Sequence, residues 1–182
     1  MEIKGNKFVV VGGAGFIGSH LVDQLIEKEP SEIIVYDNFS RGTHENLREA
    51  LKSPLVKIYG AGGDITQNDT LKEAIRGADG VFHLAALWLL QCQDYPRSAF
   101  NVNIEGTFNV IEACKENGAR LIYSSSASVY GNALEIPMTE EHPFNNETFY
   151  GATKIAGEQM LKAYAKRFMI DYVTLRYMNV YG

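Results

Sequence analysis

The run Phe8-Val-Val-Val-Gly-Gly-Ala-Gly-Phe-Ile-Gly-Ser-His-Leu-Val22 decides the fold. Its apolar start reads as a strand buried on both faces, its glycines at 12, 15 and 18 as a tight turn, and Phe16 onward as an apolar-periodic helix. Glycine at these three positions permits the turn, lets the backbone approach a pyrophosphate, and allows the helix to pack on the sheet. The start of that helix offers free N–H groups and about half a positive charge to phosphates. The next strand-like segment, Ile33-Ile-Val-Tyr36, ends in Asp37, 19 residues after Gly18. An acidic residue at that distance grips a ribose 2′-hydroxyl. Because a carboxylate there repels a 2′-phosphate, the spacing favours NAD, with Arg41 nearby keeping NADP as the alternative.

Outward from this turn, short β-branched runs alternate with longer amphipathic stretches, the pattern of βαβ units. Strands are expected at 7–11, 32–36, 56–59, 80–84, 120–124 and 171–175. Helices are expected at 16–28, 44–51, 69–76, 95–117 and 149–168, with Gly118 stopping the fourth. The fold class is α/β, a doubly wound parallel sheet of Rossmann type. With 182 residues, 46% of them apolar, and no repeat or linker, one domain over 1–182 is expected. After the sixth strand the sequence runs only from Arg176 to Gly182, with no closing helix.

The formal charge of −5 and the lack of a basic run speak against nucleic acid as a partner. Cys92 and Cys114 lack metal-ligand spacing and read as small buried residues in a reducing cytosol. The longest apolar run, Leu84 to Leu90, is far short of the ~20 residues of a membrane helix. The opening Met-Glu-Ile-Lys lacks a signal-peptide core, so a cytoplasmic protein without membrane contact is expected.

Tyr150-Gly-Ala-Thr-Lys154 sets a phenol and an ammonium one above the other on a helix face. With ten tyrosines and ten lysines in the chain, such a pair alone is also an ordinary solvated helix contact. Upstream, Tyr123-Ser-Ser-Ser-Ala-Ser-Val-Tyr-Gly131 clusters hydroxyls at the C-terminal end of a strand, the edge where open α/β sheets bind ligands. To act as a base near neutrality, a phenol must fall by roughly three units from about 10. Lys154 and a cationic nicotinamide ring could together supply that shift, while a serine hydroxyl holds the substrate oxygen. His83, at a strand end, reads as a structural hydrogen-bonder, and Trp88 either packs under a loop or meets the substrate.

Taken together, Gly-Gly-Ala-Gly-Phe-Ile-Gly18, Asp37, Gly63-Asp-Ile65, His83-Leu-Ala-Ala86, Asn103-Ile-Glu-Gly-Thr107, the serine run, Tyr150-x-x-x-Lys154 and Leu175-Arg-Tyr-Met-Asn179 resemble the extended short-chain dehydrogenase/reductase family. Its members that this chain looks like are the NAD-dependent sugar epimerases and dehydratases. The resemblance implies that Gly12, Gly15, Phe16, Ile17 and Gly18 cover the pyrophosphate and that Asp37 and Asn38 hold the adenosine ribose, with Ser40, Arg41 and Gly42 beside them. It implies that Asp64 and Ile65 flank the adenine, that Leu84, Ala85 and Ala86 line the cofactor trough, that Asn103 supports it and that Ser124 lies on the nicotinamide side. Ser126, Tyr150 and Lys154 match the catalytic positions, Tyr150 and Lys154 also binding the nicotinamide ribose, and Asn179, with Ser126 and Tyr150, the contacts to the nucleotide-sugar.

In the resembling enzymes, oxidation of a sugar hydroxyl to a 4-keto intermediate is the common step, and the following step defines the enzyme. Dehydratases carry Asp-Glu after the Ser/Thr, where this chain has Ser126-Ala127. The expected activity is therefore 4-epimerisation of a nucleotide-sugar, with a UDP-sugar as the expected substrate. The alternatives are a dehydratase, decarboxylase or reductase of the same family, or a non-catalytic NAD sensor. Trp88, where some hexose 4-epimerases have lysine, and Met178, where an aromatic is common, leave the particular sugar open. The resemblance also implies a longer enzyme whose C-terminal, substrate-binding part is missing here, and a homodimer through helices 95–117 and 149–168.

Overall fold

All six expected strands form. In the computed structural model, which describes residues 2–181, they are β1 (Lys7–Val11), β2 (Glu32–Tyr36), β3 (Val56–Ile58), β4 (Gly80–His83), β5 (Arg120–Ser126) and β6 (Tyr172–Tyr177). All pair in parallel, in the order β3-β2-β1-β4-β5-β6. This is the order of a doubly wound dinucleotide-binding sheet. The strand order reverses between β1 and β4, and ligands bind outside the carboxyl ends of the strands at that point.

Side chains on the central strands point alternately to two cores, as the period of two requires. Val9 and Val11 of β1 and Ile34 and Tyr36 of β2 face one cluster, completed by Leu71, Val110, Ile111, Leu121 and Leu161. Val10, Ile33 and Val35 face the other, under Val22 and Leu25. Val9, Val10 and Val11 are wholly buried, each contributing about 1.5–3 kcal/mol of hydrophobic stabilisation. This two-sided burial explains the continuous apolar strands of the sequence.

The helices are α1 (Phe16–Ile26), α2 (Asn68–Ile75), α3 (Leu89–Asp94), α4 (Pro96–Ala99), α5 (Thr107–Asn117) and α6 (Phe149–Phe168). Gly118 closes α5 in the left-handed conformation, as expected. The hydroxyl of Thr148 caps α6 by accepting from the Gly151 N–H at 3.0 Å.

Three expectations are corrected. The helix at 44–51 is two 3₁₀ turns, Glu45–Leu47 and Ala50–Lys52. Its buried residues, Leu47 and Ala50, are three apart, a spacing that 3₁₀ turns stack on one face, and Leu51 is left exposed. The helix at 95–117 is broken: a π-helical segment, Phe100–Gly106, separates α4 from α5 and carries Asn103 inward. Third, α3 forms at Leu89–Asp94, between the fourth strand and residue 95, where no helix was expected. Among the described residues, no helix is long and apolar enough to cross a membrane.

Candidate active site

A cleft of about 660 Å³ opens beyond the carboxyl ends of β1, β2, β4 and β5. Its adenosine-side wall begins at Gly12, whose φ of +82° is easily reached only without a side chain. A Cβ there would stand 2.6 Å from the Ala85 nitrogen, so the β1 turn and the β4 loop approach more closely than any other residue allows. Gly15 then caps α1, which has no side-chain cap and no acidic residue in its first turn. Its N–H groups thus remain available to an anion.

Asp37, at the end of β2, is already engaged. Its carboxylate accepts from the Ala14 N–H and the Phe39 N–H, both at 2.9 Å, tying the glycine turn to the β2 loop. Each oxygen keeps a further acceptor position for a ribose hydroxyl. The cleft brings together every residue given a cofactor, substrate or catalytic role from the sequence except Asn103. Gly12, Gly15, Phe16, Ile17, Gly18, Asp37, Asn38, Ser40, Arg41, Gly42, Asp64, Ile65, Leu84, Ala85, Ala86, Ser124, Ser126, Tyr150, Lys154 and Asn179 all line it. Asn103 lies behind the wall, 2% exposed. Its amide accepts from the Leu87 N–H at 2.7 Å and donates to the Leu87 carbonyl at 3.0 Å and to Thr153 Oγ1 at 3.2 Å. It therefore pins the β4 loop to α6 one residue before Lys154.

At the far end, Lys154 is buried and donates to the Ser124 carbonyl at 2.7 Å. Its Nζ lies 5.7 Å from the Tyr150 ring centre. Burial lowers the ammonium to about 8. Burial also pushes the Tyr150 phenol up, with Ser126 acting in the opposite sense. The expectation that Lys154 acidifies the phenol is thus not met by the protein alone. Both groups are desolvated, which penalises the charged form of each. The Ser126 hydroxyl is held by the Ser128 hydroxyl and N–H, both at 3.1 Å. His83 is neutral and structural, as read: its Nε2 meets the Thr107 hydroxyl at 3.0 Å and burial lowers it to about 3. Among the described residues no group of His, Cys, Asp and Glu could hold a metal ion. Both cysteines are buried and free.

A network behind the serine strand escaped the sequence reading. Glu158, one helical turn beyond Lys154, accepts from Ser125 Oγ at 2.5 Å and from Arg176 of β6 at 3.0 and 2.8 Å. Arg176 also donates to the Tyr130 hydroxyl and the Glu140 carbonyl. The available signal was an arginine inside an apolar strand, which needs a buried acid. Removing one partner leaves the other buried and uncompensated, at about 3 kcal/mol. Arg176→Met is therefore expected to lower the Tm by roughly 6–12 °C. Adding Glu158→Leu should restore most of that loss, and an unchanged melt for the single variant would refute the network's role.

The family model described as the NAD dependent epimerase/dehydratase family matches residues 8–182. The chain belongs to this family. A putative UDP-glucose 4-epimerase of Methanocaldococcus jannaschii is 36% identical over 179 residues, 96% of this chain and 56% of that protein. UDP-glucuronic acid decarboxylase 6 of Arabidopsis thaliana is 31% identical over 97% of this chain and 51% of its own. Among solved structures, a UDP-N-acetylglucosamine 4-epimerase of Methanobrevibacter ruminantium, in complex with UDP-N-acetylmuramic acid, superimposes with a TM-score of 0.92. It is 36% identical and covers 99% of this chain, which covers 57% of it. The chain spans about half the length of the curated relatives it matches. NAD is the family's cofactor, and the glycine cradle that a Cβ would fill, with the uncapped α1 behind it, fits a dinucleotide.

Proposed function

We propose that this chain is the NAD-binding and proton-transferring portion of a nucleotide-sugar 4-epimerase acting on a UDP-sugar. One observation carries the reading: Ser126, Tyr150 and Lys154 meet at one end of the cleft, whereas its acidic lining residues, Asp37 and Asp64, stand at the other. Glu158, behind the serines, is already paired with Ser125 and Arg176. Among the described residues, the Tyr150 end therefore has the groups to move one proton and no lining carboxylate to help expel water from the sugar.

In this reading, Gly12, Gly15 and the start of α1 bind the pyrophosphate, with Phe16 and Ile17 over it. Asp37 and Asn38 hold the adenosine ribose, beside Ser40, Arg41 and Gly42. Asp64 and Ile65 flank the adenine, Leu84, Ala85 and Ala86 line the trough that Asn103 supports, and Ser124 faces the nicotinamide. NAD, when bound, supplies the reversible oxidation of the sugar carbinol. Ser126 orients the sugar's C4 oxygen by a hydrogen bond, Tyr150 takes and returns its proton, and Asn179 contacts the nucleotide-sugar. Lys154, buried beside the Tyr150 ring, favours the phenolate by its charge. Two buried thiols fit a reducing compartment, the cytoplasm.

Incubating the full-length protein with UDP-sugars, without added cofactor, is expected to give a new isomer of unchanged mass. Loss of water or carbon dioxide would instead assign the dehydratase or decarboxylase branch, and no product with any sugar, while NAD is bound, would sink the proposal. The helical stretches 95–117 and 149–168 are further proposed to pair with those of a second copy. Light scattering should give the mass of a dimer, and a monomer at micromolar concentration would remove that part.

A further inference from the structure

Arg41 and Trp88 meet across the mouth of the cleft. The guanidinium carbon of Arg41 lies 5.0 Å from the centre of the Trp88 ring, and both residues line the cleft. They come from different walls: Arg41 from the loop after β2, and Trp88 from the loop after β4. Because β2 and β4 flank β1 on opposite sides, this contact spans the glycine turn at the end of β1.

Each arm stands on a fixed base. Gly42 is packed so closely on Ala14 that a Cβ would lie 2.7 Å from its carbonyl carbon, and Thr43 N–H donates to the Ala14 carbonyl at 3.2 Å. On the other wall, Leu87 is gripped through both N–H and carbonyl by Asn103, and the Trp88 carbonyl accepts from the Cys92 N–H at 2.9 Å. The two side chains themselves stay solvated, Trp88 at 43% exposure. The bases are thus rigid, while the contact between the tips is weak enough to open.

We propose that Arg41 and Trp88 form a clasp over the mouth of the cofactor cleft that limits how fast NAD enters it. The inference rests on the reading that NAD occupies this cleft. A cation–π contact at an exposed site keeps the clasp shut most of the time, so that losing it raises the open fraction roughly two- to fivefold. The contact exists without cofactor, so its loss acts on the entry rate, whatever either residue does once NAD is bound. A residue that acted only on the bound cofactor would instead change the exit rate alone.

The test is stopped-flow binding of NADH to the full-length protein, followed by chase with excess NAD and read by NADH fluorescence. Trp88→Ala and Arg41→Gln are each expected to raise the entry rate roughly two- to fivefold. The double variant should go no further than either single one, and Trp88→Phe, which keeps a ring, should fall between Trp88→Ala and the unaltered protein. Because Trp88 is the sole tryptophan, Arg41→Gln should also change the emission of the cofactor-free protein. A faster exit with unchanged entry, additive single effects, or unaltered rates would overturn the clasp while leaving the cofactor reading intact. Failure of the unaltered protein to bind NADH at all would overturn both.

Discussion

Tyr150→Phe is expected to lower turnover of a UDP-sugar about 10³-fold while leaving NADH affinity within about threefold. The phenyl ring fills the same space in a wall of the cleft where Tyr150 is flanked by Ser126 and Lys154, so binding loses one hydroxyl and no shape. Turnover loses the group that accepts and returns the proton. In the cofactor-free protein, burial holds this phenol above its ordinary value. Its acidity must therefore come from the loaded site, where Lys154 and a nearby positive charge favour the phenolate. The limb of the rate profile assigned to Tyr150 should accordingly appear in kcat well below the phenol's value in the free protein. Steady-state kinetics beside NADH titration decides the matter, and a variant that keeps more than a tenth of its turnover would remove Tyr150 from the mechanism.

Lys154→Met should cost activity and gain stability. Turnover is expected to fall at least about 10²-fold, because the charge that favours the Tyr150 phenolate is lost. Stability should move the other way at neutral pH. The buried ammonium titrates at about 8, against an ordinary value of 10.5. Between those values the unfolded chain binds more protons than the folded one, so stability rises with pH through this window. Below pH 8 the folded protein carries a charge that its site disfavours, at a cost of about 3 kcal/mol. The methionine variant carries no such cost, but leaves the Ser124 carbonyl without its donor, worth about 1–2 kcal/mol. At pH 7 the variant should therefore be more stable by roughly 1–2 kcal/mol, and between pH 8 and 10.5 the difference should shift by about 3 kcal/mol in favour of the lysine. Urea melts of both proteins across that range provide the measurement. A difference that does not change with pH would show that Lys154 is not desolvated as described.

Local chemistry explains what was legible beforehand. The strand, glycine turn and helix of residues 8–22 sit within one short segment, where φ preferences and apolar spacing suffice to write the structure. The same holds for Gly118 at the end of α5. Residues 44–51 misled because a helical composition there meets only two core positions, Leu47 and Ala50, and those are three apart. Residues 95–117 misled because the π segment is shaped by what Asn103 must reach, Leu87 and Thr153, 16 and 50 positions away. Amphipathic periodicity carries no record of such partners.

The sequence by itself determined the α/β class, the six strands, the phosphate-binding turn, and the residues that the cleft gathers, since each follows from short-range pattern or motif. Tertiary structure alone decided the rest: that Asn103 works from behind the wall, that Glu158 and Arg176 brace the serine strand, that Arg41 meets Trp88, and that burial moves Tyr150 and Lys154 toward their neutral forms. The reason is physical. Propensity and periodicity act between neighbours along the chain, whereas desolvation and side-chain pairing depend on which distant segments the sheet brings within a few ångströms.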